Sequence, residues 1–331
     1  MKALVYTGPH SLEYREEEEP TPGPDEVLVR VEAVGICGSD MHAYHGHDSR
    51  RPAPLVLGHE TAGRIVSGPR KGERVTVDPL VTCGTCEYCT GGRSQLCRSR
   101  QIISMPPRPG AFAELVRIPE RNLVAIPDGF DIGQAALAEP LAVSYHAVHQ
   151  GARVLARPLS SARCVVLGGG AIGLATALVL AMEGAREIHI GETNPARRRT
   201  AAESGDFRVY APGGADEPGA ASIDLVVDAV GAQSTREASS RLVKPGGAIV
   251  HVGLLPGQEG YDIRRITLEE ILVSGTYCYS HADFCEVVDA LVEKRFGSLE
   301  WYEERSLENG AGAFRELDEG VLSAAKIVLR L

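Results

Sequence analysis

The sequence predicts an α/β protein of two domains, a β-rich first part and a second part built on a parallel sheet covered by helices. Three observations carry that prediction. Residues 1 to about 130 break into short, alternating apolar runs punctuated by Gly and Pro. Beyond about residue 150, strand-like and helix-like segments alternate at the spacing of βαβ units. Between one such strand and one such helix lies Gly168-x-Gly170-x-x-Gly173.

The β-rich part reads as ALVYT, EVLVRVEAVG, GRIVSG, ERVTVDPL, AFAELVRIP and LVAIP. In the second of these, Val27, Val29 and Val31 alternate with Leu28, Arg30 and Glu32, the period of a half-buried strand, and Pro22-Gly23-Pro24 and Lys71-Gly72-Glu73 read as turns. From Gln134 to Gly151 the pattern becomes helical, with Pro140 near a helix start. We therefore expect a first domain over 1–141 and a second over 142–280. The second contains strands CVVLG, EIHIG, SIDLVVDAVG, AIVHVGL and ILVSGTY, with helices over 171–184, 196–204 and near 235–241. Residues 281–331, with a helix over 282–294 and a closing strand near 325–331, are expected to return to the first domain.

With 34 Lys plus Arg against 44 Asp plus Glu, the net charge is −10. A nucleic-acid partner is disfavoured, because neutralising phosphates needs clustered cations. The longest apolar stretch, Ala171 to Met182, contains Gly173 and Thr176 and is shorter than the roughly 20 residues of a membrane span. The N-terminus reaches acidic residues by Glu13 and has no apolar signal core, so no membrane association and a cytoplasmic location are expected.

The glycine turn Gly168-Gly169-Gly170-Ala171-Ile172-Gly173 fits a dinucleotide site. Glycines permit a tight turn, close approach of backbone to pyrophosphate, and close helix-sheet packing, while the helix N-terminus favours anionic phosphates. The next strand ends in Glu192, nineteen residues after Gly173, where a carboxylate bonds ribose hydroxyls and repels a 2′-phosphate. Arg197, opening the basic run to Arg199 just beyond, is a further cofactor contact that a 2′-phosphate can also use; Glu192 outweighs it, and NAD is the expected cofactor.

Four of the eight cysteines fall within one short loop as Cys83-x-x-Cys86-x-x-Cys89-x7-Cys97. Four soft ligands close a tetrahedral zinc site and leave no open position, so this set is structural. A second, scattered set comprises Cys37-Gly38-Ser39-Asp40-Met41-His42, Gly58-His59-Glu60 and Glu139-Pro140. A thiolate, an imidazole and one or two carboxylates suit a catalytic zinc with a vacant position.

In order along the chain, CGSDMH, GHE, CGTCEYC…C, GAFAE, EPLAV, GGGAIG, the strand-ending Glu192, SIDLVVDAVG, KPGG and HVGL resemble the zinc-dependent medium-chain alcohol dehydrogenase superfamily, closest to its polyol (sorbitol-type) branch. The resemblance implies a GroES-like β-rich catalytic domain, a doubly wound Rossmann cofactor domain, and an active site between them. It implies two zinc ions per chain, one catalytic and one structural. Carried over residue by residue, Cys37, His59 and Glu60 resemble the catalytic zinc ligands, with Glu139 at or near the metal shell. Asp40 resembles the carboxylate that orients the ligand histidine, Ser39 the hydroxyl that touches the substrate oxygen, and His42 the outer end of the proton relay. Val252-Gly253-Leu254 resembles the strand end that packs beside the nicotinamide.

The implied function is NAD-linked oxidation of a secondary hydroxyl on a polyol or related small polar alcohol. The segment YHGHDSRRPAP reads as a solvated loop, although Arg50 and Arg51 offer a site for a substrate phosphate or carboxylate and so keep a sugar-alcohol phosphate dehydrogenase open. The same motifs also leave open threonine-3-dehydrogenase chemistry and a zinc-stabilised NAD-binding protein without turnover. SMPPRPG departs from the usual family pattern, so the pocket wall is expected to differ there. The strand at Ile271 to Tyr277 resembles the edge that pairs subunits in this superfamily, which implies a homo-oligomer, dimer or tetramer.

Overall fold

The computed structural model describes residues 1–331. Its first half carries β1 (Lys2–Gly8), β2 (Ser11–Glu16), β3 (Glu26–Gly35), α1 (Gly38–Tyr44), β4 (Leu55–Val56), β5 (Glu60–Ile65), β6 (Arg74–Val77), β7 (Leu80–Val81), α2 (Glu87–Thr90), β8 (Gln101–Ile102), β9 (Leu115–Pro119) and β10 (Leu123–Ala125). The alternation read from Val27, Val29 and Val31 places those side chains inside, and β3 becomes the strand on which the others assemble. It pairs antiparallel with β5 and with β9, and the sheet runs β10-β6-β5-β3 before two strands from the far end of the chain.

Helices α3 (Ile132–Ala135) and α4 (Ala138–Ala152) lead into the second half. Pro140 sits in the first turn of α4, where its missing N–H breaks no intrahelical bond. There follow β11 (Arg163–Leu167), α5 (Ala171–Met182), β12 (Glu187–Gly191), α6 (Pro195–Glu203), β13 (Arg208–Tyr210), β14 (Ile223–Asp228), α7 (Gln233–Leu242), β15 (Val243–His251), α8 (Ile263–Leu268), β16 (Leu272–Gly275) and α9 (His281–Val292). All neighbouring strands are parallel, in the order β13-β12-β11-β14-β15-β16. The order reverses between β11 and β14, and in such sheets that reversal opens a ligand crevice at the carboxyl ends of the strands. This is the parallel sheet the strand-helix alternation predicted, in the doubly wound order the resemblance implied.

The chain then crosses back through β17 (Tyr302–Ser306), α10 (Gly310–Asp318) and β18 (Lys326–Arg330). β18 pairs antiparallel with β3, and β17 joins β18 in parallel at the edge. The expected boundary near 141 falls inside α4. The one near 281 falls at the start of α9, whose Phe284, Val287, Val288 and Leu291 pack into the core shared with α4 and α5. Among the elements the sequence did not predict are β13, only three residues long; α8, with no buried residue; and β17, whose YEERS is a charged edge strand without apolar alternation.

The two halves touch where α9 begins. His281 Nδ1 lies 2.8 Å from Asp78 Oδ2, beyond β6. The hydrogen bond to Asp78 leads the causes that raise His281 to about 10, well above its ordinary 6.5. A folded value above the unfolded one means that the contribution is fully present below about pH 6.5 and is lost as pH rises through about 10. His281→Asn is therefore expected to lower the urea midpoint at about pH 6 and to lower it much less near pH 10.5; equal losses at both would show that the pair is not charged.

Candidate active site and metal centres

Cys37 follows the last residues of β3 and caps α1. The Asp40 carboxylate reaches back from the first turn of that helix to accept the Cys37 N–H at 3.0 Å, and it also accepts the Gly58 N–H at 3.3 Å. That fully buried carboxylate therefore fixes the two loops that deliver Cys37 and His59, and its Oδ1 stands 3.7 Å from His59 Nδ1. Burial disfavours a charged His59, yet Asp40 and Cys37 together hold it well above 6.5. A metal-ligating histidine is held by a carboxylate in just this way, which orients the ring and raises its basicity.

Glu60 is the first residue of β5, next to His59. One donor atom each from Cys37, His59 and Glu60 lies within 4.8 Å of the others, and the mixed sulfur, nitrogen and oxygen set fits a catalytic zinc. The Glu60 carboxylate is wholly buried, and Lys326 at the start of β18 meets both its oxygens at 2.6 and 2.7 Å while also donating to the Ile36 carbonyl at 2.9 Å. Gly35 makes the room, since a Cβ there would strike Glu60 Oε2. Glu139, on the first turn of α4, lies outside the three-donor cluster. Its Oε1 accepts from the buried Tyr279 hydroxyl at 3.1 Å, and burial pushes its carboxyl up to about 7, with Glu60 nearby adding to the rise.

One cleft of about 250 Å³ joins these groups to the parallel sheet. Cys37, Ser39, His42, His59 and Glu139 line one side, and Ile172, Val230, Val252, Gly253 and Leu254 the other. His42 is partly buried, and burial together with nearby His45 and His47 lowers its pKa. The loop expected to be solvated is largely exposed, and Arg51 is its exception. Arg51 is only 3% exposed and lines the cleft with Arg50. Its Nε donates to the Ser104 carbonyl at 3.1 Å, one terminal nitrogen to Asp48 at 2.6 Å, and the other approaches Ser39 Oγ at 3.4 Å. Asp48 also accepts from Arg50; against the burial that would raise it, these guanidinium contacts hold it at about 2. Two cations thus share one carboxylate at the mouth. Met105 and Ser104, from the proline-rich departure, belong to this wall: Met105 lines the cleft, and Ser104 Oγ lies 3.4 Å from His59 Nδ1.

The glycine turn lies across the cleft. Gly168 follows β11 at φ +101°, a conformation that favours glycine, and a Cβ at Gly173 would strike the Gly168 carbonyl. Gly170 caps α5, whose first N–H groups, from Ala171 to Gly173, lack intrahelical partners. Glu192, just past β12, is buried, and accepts the Gly169 N–H on Oε2 and the Asn194 N–H on Oε1, both at 2.7 Å. Arg198 is occupied by the Glu192 and Thr193 carbonyls, whereas the buried Arg197 Nε has no partner.

In the cysteine loop, Sγ separations are 3.5 Å for Cys86–Cys89, 3.6 Å for Cys83–Cys97 and 3.9 Å for Cys83–Cys89. Four sulfurs around zinc at about 2.3 Å stand about 3.8 Å apart, so this spacing is that of a tetrahedral S4 site and not of disulfides. The Thr85 and Cys86 amides bring the Cys83 thiol down to about 6, toward the thiolate a metal needs.

The family model "Alcohol dehydrogenase GroES-like domain" matches residues 23–128, and "Zinc-binding dehydrogenase" matches residues 171–293. L-galactonate-5-dehydrogenase of Escherichia coli is 30% identical, over 98% of this chain and 99% of that one. The chain belongs to the zinc-dependent medium-chain alcohol dehydrogenases. Within them its relatives are of the polyol branch, among them a sorbitol dehydrogenase of Halalkalibacterium halodurans at 33% identity over 89% of each chain. The dehydrogenase also superimposes, with a TM-score of 0.89, on an Escherichia coli alcohol dehydrogenase crystallised with NADH, at 26% identity and covering 100% and 99% of the two chains. Its chemistry is hydride transfer between an alcohol and a nicotinamide cofactor.

Three residues of the dehydrogenase's site escaped the sequence reading: Lys326, Tyr279 and Ser104. Lys326 had one signal, a lysine opening an otherwise apolar closing strand. Lys326→Met leaves the Glu60 carboxylate buried without its counter-charge in metal-free protein, and is expected to lower stability by about 3 kcal/mol. Adding Glu60→Gln should recover part of it; equal urea midpoints for wild type and Lys326→Met would show that the pair contributes nothing.

Proposed function

We propose that the dehydrogenase oxidises a secondary hydroxyl of a small polyhydroxy compound with NAD, at a zinc held by Cys37, His59 and Glu60. The observation that carries this reading is the single cleft with the sulfur-imidazole pair and Ser39 on one side and the Val252–Leu254 strand end on the other. Zinc bound there would supply a Lewis acid that makes a hydroxyl acidic near neutral pH, and NAD would supply the hydride acceptor. Ser39 Oγ takes the hydroxyl proton and His42 carries it outward, both lying on α1 at the cleft. The Arg51 nitrogen beside Ser39 favours the oxygen once it has lost its proton. Asp40 keeps His59 in the tautomer that leaves its far nitrogen to the metal. Glu139, near 7, is able to hold or release a proton beside the cluster.

On the cofactor side, the Gly168 to Gly173 turn receives the pyrophosphate, and Val252, Gly253 and Leu254 flank the nicotinamide. Glu192 favours NAD over NADP, with Arg197 as the nearby cation. Cys83, Cys86, Cys89 and Cys97 hold the second, structural zinc. At the substrate end, Arg50 and Arg51 against a single Asp48 leave a net positive charge, which suits a polyol bearing a carboxylate, as in the galactonate relative; a phosphate is the second reading the same cations support. Two further features extend the proposal. β16 lies at a sheet edge with Leu272 and Val273 exposed beside Ile263 and Leu268, which fits pairing with a second copy. None of the eight cysteines is in a disulfide, which suits the reducing cytoplasm. No helix is long and apolar enough to cross a membrane.

Cys37→Ala is expected to lower turnover by about 10³-fold or more while leaving the far-ultraviolet spectrum and one zinc per chain in place. Cys89→Ala should instead lose the other zinc and lower the melting temperature. Normal turnover in Cys37→Ala would remove the catalytic assignment. For the substrate, NADH absorbance across sorbitol, hexonates, phosphorylated polyols and threonine identifies the class. Arg50→Ala is expected to raise KM for an anionic substrate about tenfold and to leave sorbitol unchanged; an equal effect on both would exclude the charged subsite.

A further inference from the structure

A second group of metal-competent side chains lies outside the cleft, on the opposite end of α1. His10 stands in the tight turn between β1 and β2, His45 is the C-cap of α1, and Asp318 is the last residue of α10. One donor atom from each lies within 4.8 Å of the other two. His45 Nε2 is 2.6 Å from Asp318 Oδ1, and His10 Nδ1 is 3.6 Å from Asp318 Oδ2, so the two carboxylate oxygens face different imidazoles. The rings of His10 and His45 are 5.4 Å apart, and His47 follows at 5.7 Å from His45.

The backbone beneath these side chains is fixed. His10 adopts φ +58°, an uncommon conformation for a residue with a Cβ, and strained residues of this kind gather at ligand clamps. Its N–H donates to the Tyr44 carbonyl at 2.7 Å, immediately before His45, and its ring meets Tyr44 edge-on. Pro9 packs so closely on Gly46 that a Cβ there would lie 2.9 Å from it. The turn is therefore docked against the end of α1, and α1 against α10, by backbone and apolar contacts as well as by these side chains. The 3.6 Å between His10 Nδ1 and Asp318 Oδ2 is already close to the separation of about 3.3 to 3.6 Å between tetrahedral ligands at about 2.0–2.2 Å from one zinc.

We propose that His10, His45 and Asp318 form a third metal site on the dehydrogenase, selective for a late divalent transition metal such as zinc. Two imidazoles and a carboxylate suit zinc, nickel or copper and not magnesium or calcium, which take oxygen ligands. Water or His47 completes the shell. The ion joins three segments that are far apart in sequence, the β1–β2 turn, the helix bearing Ser39 and His42, and the C-terminal helix. It stabilises the catalytic half by binding the folded arrangement alone.

Equilibrium dialysis of the intact holoenzyme against micromolar free zinc, with metal counted per chain, tests the site. Wild type is expected to take up one equivalent more than His10→Ala or Asp318→Asn, and each variant to bind that equivalent at least about tenfold more weakly. Melting temperature should rise with micromolar zinc in wild type and not in the variants. NAD-linked turnover of both variants should stay at the wild-type level, which separates this site from the catalytic and structural zincs. Equal uptake by wild type and variants, or uptake of the extra equivalent only at millimolar zinc, would overturn the proposal; so would an equal gain in wild type from magnesium.

Discussion

The ion pair between Lys326 and Glu60 joins positions 266 residues apart, and the catalytic half depends on it. A wholly buried carboxylate beside a thiol and an imidazole needs a compensating charge at short range. The chain provides that charge only after it has built the whole parallel-sheet half and returned through β17, α10 and β18. Gly35 lacks a Cβ where the two side chains meet, and β18 lies against β3 in the register that brings Lys326 alongside. The environment of β5, which opens with Glu60, is therefore incomplete until the C-terminus is in place, and its contacts are among the most non-local in the molecule.

The return of the chain also sets the shape of the cleft. β3 and α1 hold Cys37, Ser39 and His42, and the carboxyl ends of β11, β14 and β15 stand opposite, at the reversal of strand order. Because α4 packs on α5 and α9 while carrying Glu139 toward the cluster, one helix belongs to both halves. The core is continuous across the junction, with Ala33, Ala62 and Val328 of the β-rich half in the same apolar cluster as Val166 and Val227. Such continuity holds the donor residues and the glycine turn at a fixed separation, which hydride transfer requires.

The fold was legible because its signals are local. Alternation in EVLVRVEAVG and the strand-glycine-helix sequence at Gly168 each lie within about a dozen residues. The cysteine lobe was legible for the same reason. What escaped was non-local or weakly patterned. β17 is a charged edge strand, and nothing in YEERS distinguishes it from a loop. Arg51 sits in a polar, proline-rich run, the usual mark of a solvated segment, yet it is buried because Asp48, Ser104 and Ser39 satisfy its guanidinium from three directions. Lys326 and Tyr279 are paired with acids more than a hundred residues away, and periodicity carries no information about such partners. Glu60 was legible as a carboxylate beside His59; its counter-charge was not.

The cysteine lobe has a consequence of a different kind. Between Cys83 and Cys97 only Gln95 and Cys97 are buried, and the regular structure is one turn of α2 and one 3-10 turn. Without an apolar core, the order of this loop would come from the binding energy of a metal held by the four sulfurs. The four sulfurs stand within 4.8 Å of one another and three of their pairs within 4 Å, so an oxidant that meets the metal-free lobe finds thiols poised to join in pairs, and each pair that forms would remove two donors from a metal held there. Loss of metal followed by oxidation is then a ratchet: the lobe records its history of chelation and oxidative stress, and only a reductant supplied together with zinc resets it.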